Sequence, residues 1–141
     1  MIIKMIRRYK SDFSVISKFK LYIDENLVYE CFALEELESG ILKAPAGEYK
    51  LNSYGFKTSL KEFFGFKNKE VISFFNKDLK AKLVFVLKDE NLKTNAQIIT
   101  LGETKKDNKS LEGSQRAFEN FCSLVKDKDL KFISLEVVDE L

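Results

Sequence analysis

The chain has 141 residues, 45% of them hydrophobic and 33% charged. That length and balance suit one soluble globular unit, able to bury roughly two thirds of its unfolded surface without metal or disulfide support. Basic and acidic side chains number 24 and 22, for a formal charge of +2, and lysines are interleaved with acids throughout. This argues against a nucleic-acid surface, which needs a basic face.

No apolar run approaches the about 20 residues of a membrane-spanning helix, so no membrane partner is expected. The start, MIIKMIRRYK, lacks the apolar core and small-residue cleavage site of a signal peptide. The expected location is the cytoplasm, unless a dedicated secretion machine carries the chain out. Cys31 and Cys122 lie in apolar patterns without paired spacing, which predicts buried free thiols and a reducing compartment.

Residues 2–9 read as a first strand with Ile3 and Met5 on one face, followed by turn chemistry at Ser11-Asp12. Phe19, Leu21 and Ile23 then alternate with Lys18, Lys20, Tyr22 and Asp24, the period of a half-buried strand. Asp24-Glu25-Asn26 turns the chain into a further strand over 27–34, and the short turns imply an antiparallel meander that Leu34-Glu35-Glu36 closes. Ala44-Pro45-Ala46-Gly47-Glu48-Tyr49 punctuates the chain before a strand through Tyr49 and Leu51. One glycine beside a proline lacks the repeated glycines and Lys-Ser/Thr pair of a phosphate loop.

Residues 53–81 hold Phe56, Phe63, Phe64, Phe66, Phe74 and Phe75 among lysines, with room for a short helix over 59–64. These rings are expected to close the core, and the segment is a first candidate for a partner surface. The stretch 83–102 reads as an organising hairpin. Val84, Phe85, Val86 and Leu87 form one arm and Ile98, Ile99 and Leu101 the other, with polar residues 88–95 between. Lys88, Asp89, Glu90, Thr94, Asn95 and Gln97 at this loop are the candidate binding residues. Asp89, Glu90 and Glu103 also have the chemistry of an acid/base pair or a weak Ca²⁺ or Mg²⁺ site, although carboxylates beside lysines on a polar loop are ordinarily solvated.

Residues 104–110 read as a charged loop and 114–127 as a helix. Its stripe is Phe118, Phe121, Cys122 and Val125, with Ser110 or Ser114 as cap. Residues 130–138 give a last strand with Ile133, Leu135 and Val137 on one face. The expected fold is α+β: a mainly antiparallel β-sheet or partly closed β-barrel with one major C-terminal helix, in a single domain spanning 1–141.

Three blocks carry a resemblance. They are Leu21-Tyr22-Ile23 through Cys31-Phe32-Ala33-Leu34-Glu35, then Pro45-Ala46-Gly47-Glu48-Tyr49, then Thr94 to Gly102 leading to Ser114 and Ala117-Phe118. In this order they resemble a family of small bacterial and phage domains related to the L,D-transpeptidase (YkuD-like) fold, over nearly the whole chain. The resemblance implies a site pair of His and Cys, but here those positions are Val86 and Gln97, and the neighbouring Gly-Cys and Gly-Asn motifs fall on Ala96-Gln97 and Lys88-Asp89. Neither side chain supplies a thiolate or an imidazole, and the chain contains no histidine at all.

No catalytic residue, metal ligand or cofactor is therefore assigned. The expected function is a non-catalytic binding or structural module on a YkuD-like scaffold, of phage, mobile-element or secretion-system origin, engaging a protein or a cell-wall (peptidoglycan) fragment. The alternative is a hydrolase or transferase with a non-standard acidic site at the hairpin loop.

Overall fold

Alternation of apolar side chains gives most strands of this chain one face that must leave water, and the sheet buries those faces by closing on itself. The computed structural model describes residues 1–51, 72–87, 96–126 and 133–141. Among these residues seven strands precede a small hairpin: β1 (Ile2–Lys10), β2 (Ser14–Ile23), β3 (Asn26–Glu36), β4 (Gly47–Leu51), β5 (Ile72–Asn76), β6 (Ala81–Val86) and β7 (Gln97–Gly102). The hairpin is β8 (Thr104–Lys105) with β9 (Leu111–Glu112), followed by the helix α1 (Ser114–Lys126) and the last strand, β10 (Ser134–Asp139).

Eight strands form a closed barrel in the order β1-β10-β4-β5-β6-β7-β3-β2, so the expected partly closed barrel is complete. Pairing is antiparallel except between β1 and β10 and between β6 and β7. No helix among the described residues is long and apolar enough to cross a membrane.

The parallel pairing of β6 with β7 corrects the organising hairpin. Both arms are strands, but Leu83 lies beside Gln97 and Val86 beside Thr100, so the two arms run in the same direction and do not pair as a hairpin. Residues 88–95 lie outside the described residues, and with them Lys88, Asp89, Glu90, Thr94 and Asn95. The helix expected over 59–64 and the phenylalanines at 56–66 lie outside them too. The phenylalanine-rich stretch ends in β5, where Phe74 is wholly buried, and the charged loop 104–110 contains a strand of the β8–β9 pair.

The interior has two distinct ends. At one, α1 lies between the end of β7 and the start of β10 and seats Phe121 edge-on against Phe19 and Phe85, with ring centroids 5.0 and 5.2 Å apart. Phe118, Cys122 and Val125 join the same core, as the stripe requires. The β2–β3 turn reaches this end through Asp24 and Glu25 at φ 49° and 68°, the left-handed pair that a two-residue hairpin turn demands. The strands β1, β3 and β10 finish at the opposite end, where the inward-facing rows become polar.

Candidate functional site

Three inward rows change character at the same level of the barrel. On β1, Ile3 and Met5 are followed by Arg7; on β3, Cys31 and Ala33 by Glu35; on β10, Leu135 and Val137 by Asp139. Strand parity holds all three polar side chains to the inner face, and the register sets Arg7 beside Asp139. Arg7 is 1% exposed and Glu35 0%. The guanidinium donates through Nε and Nη2 to the two Glu35 carboxylate oxygens, both at 2.9 Å, and through Nη1 to Asp139 Oδ1 at 3.2 Å. The Asp139 side chain is 51% exposed and forms the outer rim of the cluster.

Burial pulls the Arg7 guanidinium down, and its bonds and charge interactions with Glu35 and Asp139 more than reverse this, so it is held above its ordinary value. Burial pushes the Glu35 carboxyl up against the pull of Arg7. Tyr49, on β4, is raised by the same burial. Ser17, opposite Arg7 on β2, is buried with its hydroxyl unbonded among the described residues. Such an unmade bond costs about 1–3 kcal/mol.

The chain between β3 and β4, residues 37–46, crosses this end as a strap. Its tip turns through Ser39 and Gly40, both with left-handed φ, and is closed by Glu38 and Ile41 exchanging backbone bonds. Three consecutive residues of the strap are then gripped by three strands. The Lys43 N–H donates to Gln97 Oε1 at 2.8 Å, the Ala44 carbonyl accepts from Arg7 Nη2 at 2.7 Å, and the Pro45 carbonyl accepts from the Tyr49 hydroxyl at 2.6 Å. Gln97 Nε2 also donates to the Glu36 carbonyl at 2.9 Å. The Ala44 side chain is fully buried, whereas Ile41 at the tip is 68% exposed and Phe13 on the adjoining β1–β2 turn 70%.

Of the sequence-derived candidates, Gln97 is therefore buried, with its amide engaged by backbone. Glu103 lies beyond β7 at the helix end, exposed, with its carboxylate 4.0 Å from Arg116. Val86 and Gln97 face opposite sides of the sheet, because Gln97 pairs with inward Leu83 and Val86 stands three residues further along β6. Cys31 and Cys122 are buried free thiols, as expected. No group of three His, Cys, Asp or Glu among the described residues is placed to hold a metal ion.

Arg7, Glu35 and Asp139 did not figure among the candidates. The signal for them was available in strand parity, since each continues an inward apolar row and their charges are complementary. No protein-family model matches the chain, and neither a curated protein nor a solved structure shows significant similarity to it.

Proposed function

We propose that this chain is a non-catalytic binding or structural module on a YkuD-like scaffold, engaging a protein or a cell-wall fragment through the strap end of its barrel. The observation that carries this reading is the use made of Gln97. The position where the resembled family would place its nucleophile holds an amide that bonds Lys43 and Glu36 and so fastens a surface strap. Val86, at the position of the family's base, lies on the other face of the sheet. A base and nucleophile must approach within hydrogen-bond reach, and these two positions do not, which supports the non-catalytic part of the reading alone. The exposed Ile41 at the tip of the strap and Phe13 on the adjoining β1–β2 turn supply apolar contact area where a partner can seat.

The test is incubation of the purified protein with muropeptides, followed by mass spectrometry and by sedimentation with intact sacculi. The expected outcome is an unchanged muropeptide profile. New cross-linked or trimmed species forming at enzyme-like rates overturn the reading.

A further inference from the structure

Lys43, Ala44 and Pro45 are held the way a receptor holds a peptide. One N–H and two carbonyls are met by three side chains from β7, β1 and β4, and a single methyl group enters the barrel end. The three donors and acceptors read backbone alone, so nothing in them depends on the strap's own side chains beyond the small size of Ala44. We propose that Gln97, Arg7 and Tyr49 form a receptor for a peptide that bends at a small central residue, which residues 43–45 occupy in cis as an autoinhibitory stand-in. The inference rests on the binding-module reading and names the ligand class of that site.

A tethered occupant competes at the millimolar effective concentration of a short linker, so a free peptide of the same sequence must reach that range to displace it. The strap is suited to such exchange. Its outer part is fastened by its own Glu38–Ile41 turn, by the ion pair of Glu38 with Lys43 at 2.6 Å within the strap, and by a bond to the neighbouring β1–β2 turn, Leu37 N–H to the Phe13 carbonyl at 2.8 Å.

The probe is a synthetic peptide spanning residues 42–47, LKAPAG, capped at both ends. Hydrogen exchange of the wild-type protein is followed over residues 37–46 and over β2 and β3 as internal reference. At saturating peptide the strap amides are expected to lose protection about tenfold while the reference strands keep theirs. Lys43→Pro and Ala44→Asp weaken the strap independently and leave the receptor side chains in place. Each is expected to bind the peptide at least about tenfold more tightly than wild type, as removal of a competing tether requires.

Tyr49→Phe, which deletes only the hydroxyl, should weaken binding about tenfold, and a peptide with Phe at the Ala position should not bind. A muropeptide arm separates a cell-wall source of peptide from a protein source. Unchanged strap protection at millimolar peptide overturns the inference, as does binding indifferent to Tyr49→Phe or to the Phe-bearing peptide. Those failures leave the muropeptide-turnover result untouched, so they are distinct from failure of the binding-module reading.

Discussion

A guanidinium withdrawn from water must direct its N–H groups at acceptors, and Arg7 does so through Glu35, Ala44 and Asp139. Desolvating both ions is expensive, so the pair is better understood as a specifier of geometry than as a source of stability. Removing one partner leaves the other charge buried, and Glu35→Ala should therefore lower stability by about 3–5 kcal/mol. Arg7→Met combined with Glu35→Leu should recover most of that loss, because shape is kept and no buried charge remains, Asp139 lying at the exposed rim. Urea midpoints of the two single variants and the double variant check this; a double variant no more stable than either single one defeats the argument. The parity that places Arg7 and Glu35 on the inner face can be read from the rows Ile3-Met5-Arg7 and Cys31-Ala33-Glu35. That β1 and β3 end at the same level cannot, since it depends on register across the intervening β2.

At the scale of elements, Phe121 shows what one helix contributes. Its ring meets Phe19 and Phe85 edge-on, and Phe85 meets Phe74 in the same manner at 5.8 Å, which ties α1 to β2, β5 and β6. Phe121→Ala should cost about 3–5 kcal/mol, since the space in a closed eight-stranded barrel has little freedom to collapse. A urea midpoint left unchanged would show the helix undocked in solution.

Gly102 governs the neighbouring element. A Cβ there would overlap the Cβ of Leu111 and press on the Glu112 carbonyl at 3.0 Å, because β9 crosses directly over the end of β7. Gly102→Ala should detach the β8–β9 hairpin, an effect visible as exchange of the Glu103 amide, which bonds the Glu112 carbonyl at 2.8 Å. Helix α1 was legible because its stripe has one period and one partner face. The strands β6 and β7 were legible as strands but not as neighbours, since two apolar runs with a polar segment between them fit an antiparallel and a parallel pair equally well. β8 and β9 are two residues long and carry no pattern, so the charged loop around them gave no sign of pairing.

For the whole molecule, closure of the barrel removes the open edges of the main sheet and places Cys31 and Tyr29 near the helix end, where proton release is unfavourable. Burial, reinforced by the charges of Glu103 and Glu30, pushes the Cys31 thiol from 9.0 up to about 12, against the opposing effect of the nearby Tyr29 hydroxyl. Burial and the neighbouring thiol likewise raise Tyr29 from 10.0 to about 12. Both groups hold their protons more tightly folded than unfolded. The stability they contribute is thus fully present below the unfolded values and is lost as pH rises toward the folded ones.

Between pH 9 and 10 the thiol dominates this pair, and the unfolded chain releases a proton that the folded chain keeps. Stability should fall there by up to about 1.4 kcal/mol per pH unit on account of Cys31. Tyr29 adds to the loss above pH 10, less than its shift implies because the ring is only partly buried. Cys31→Ala removes the thiol and should flatten the decline over pH 9 to 10 while leaving stability at neutral pH only modestly reduced. Urea denaturation of both proteins across that interval decides the matter: parallel declines in wild type and Cys31→Ala would place the alkaline sensitivity elsewhere in the barrel.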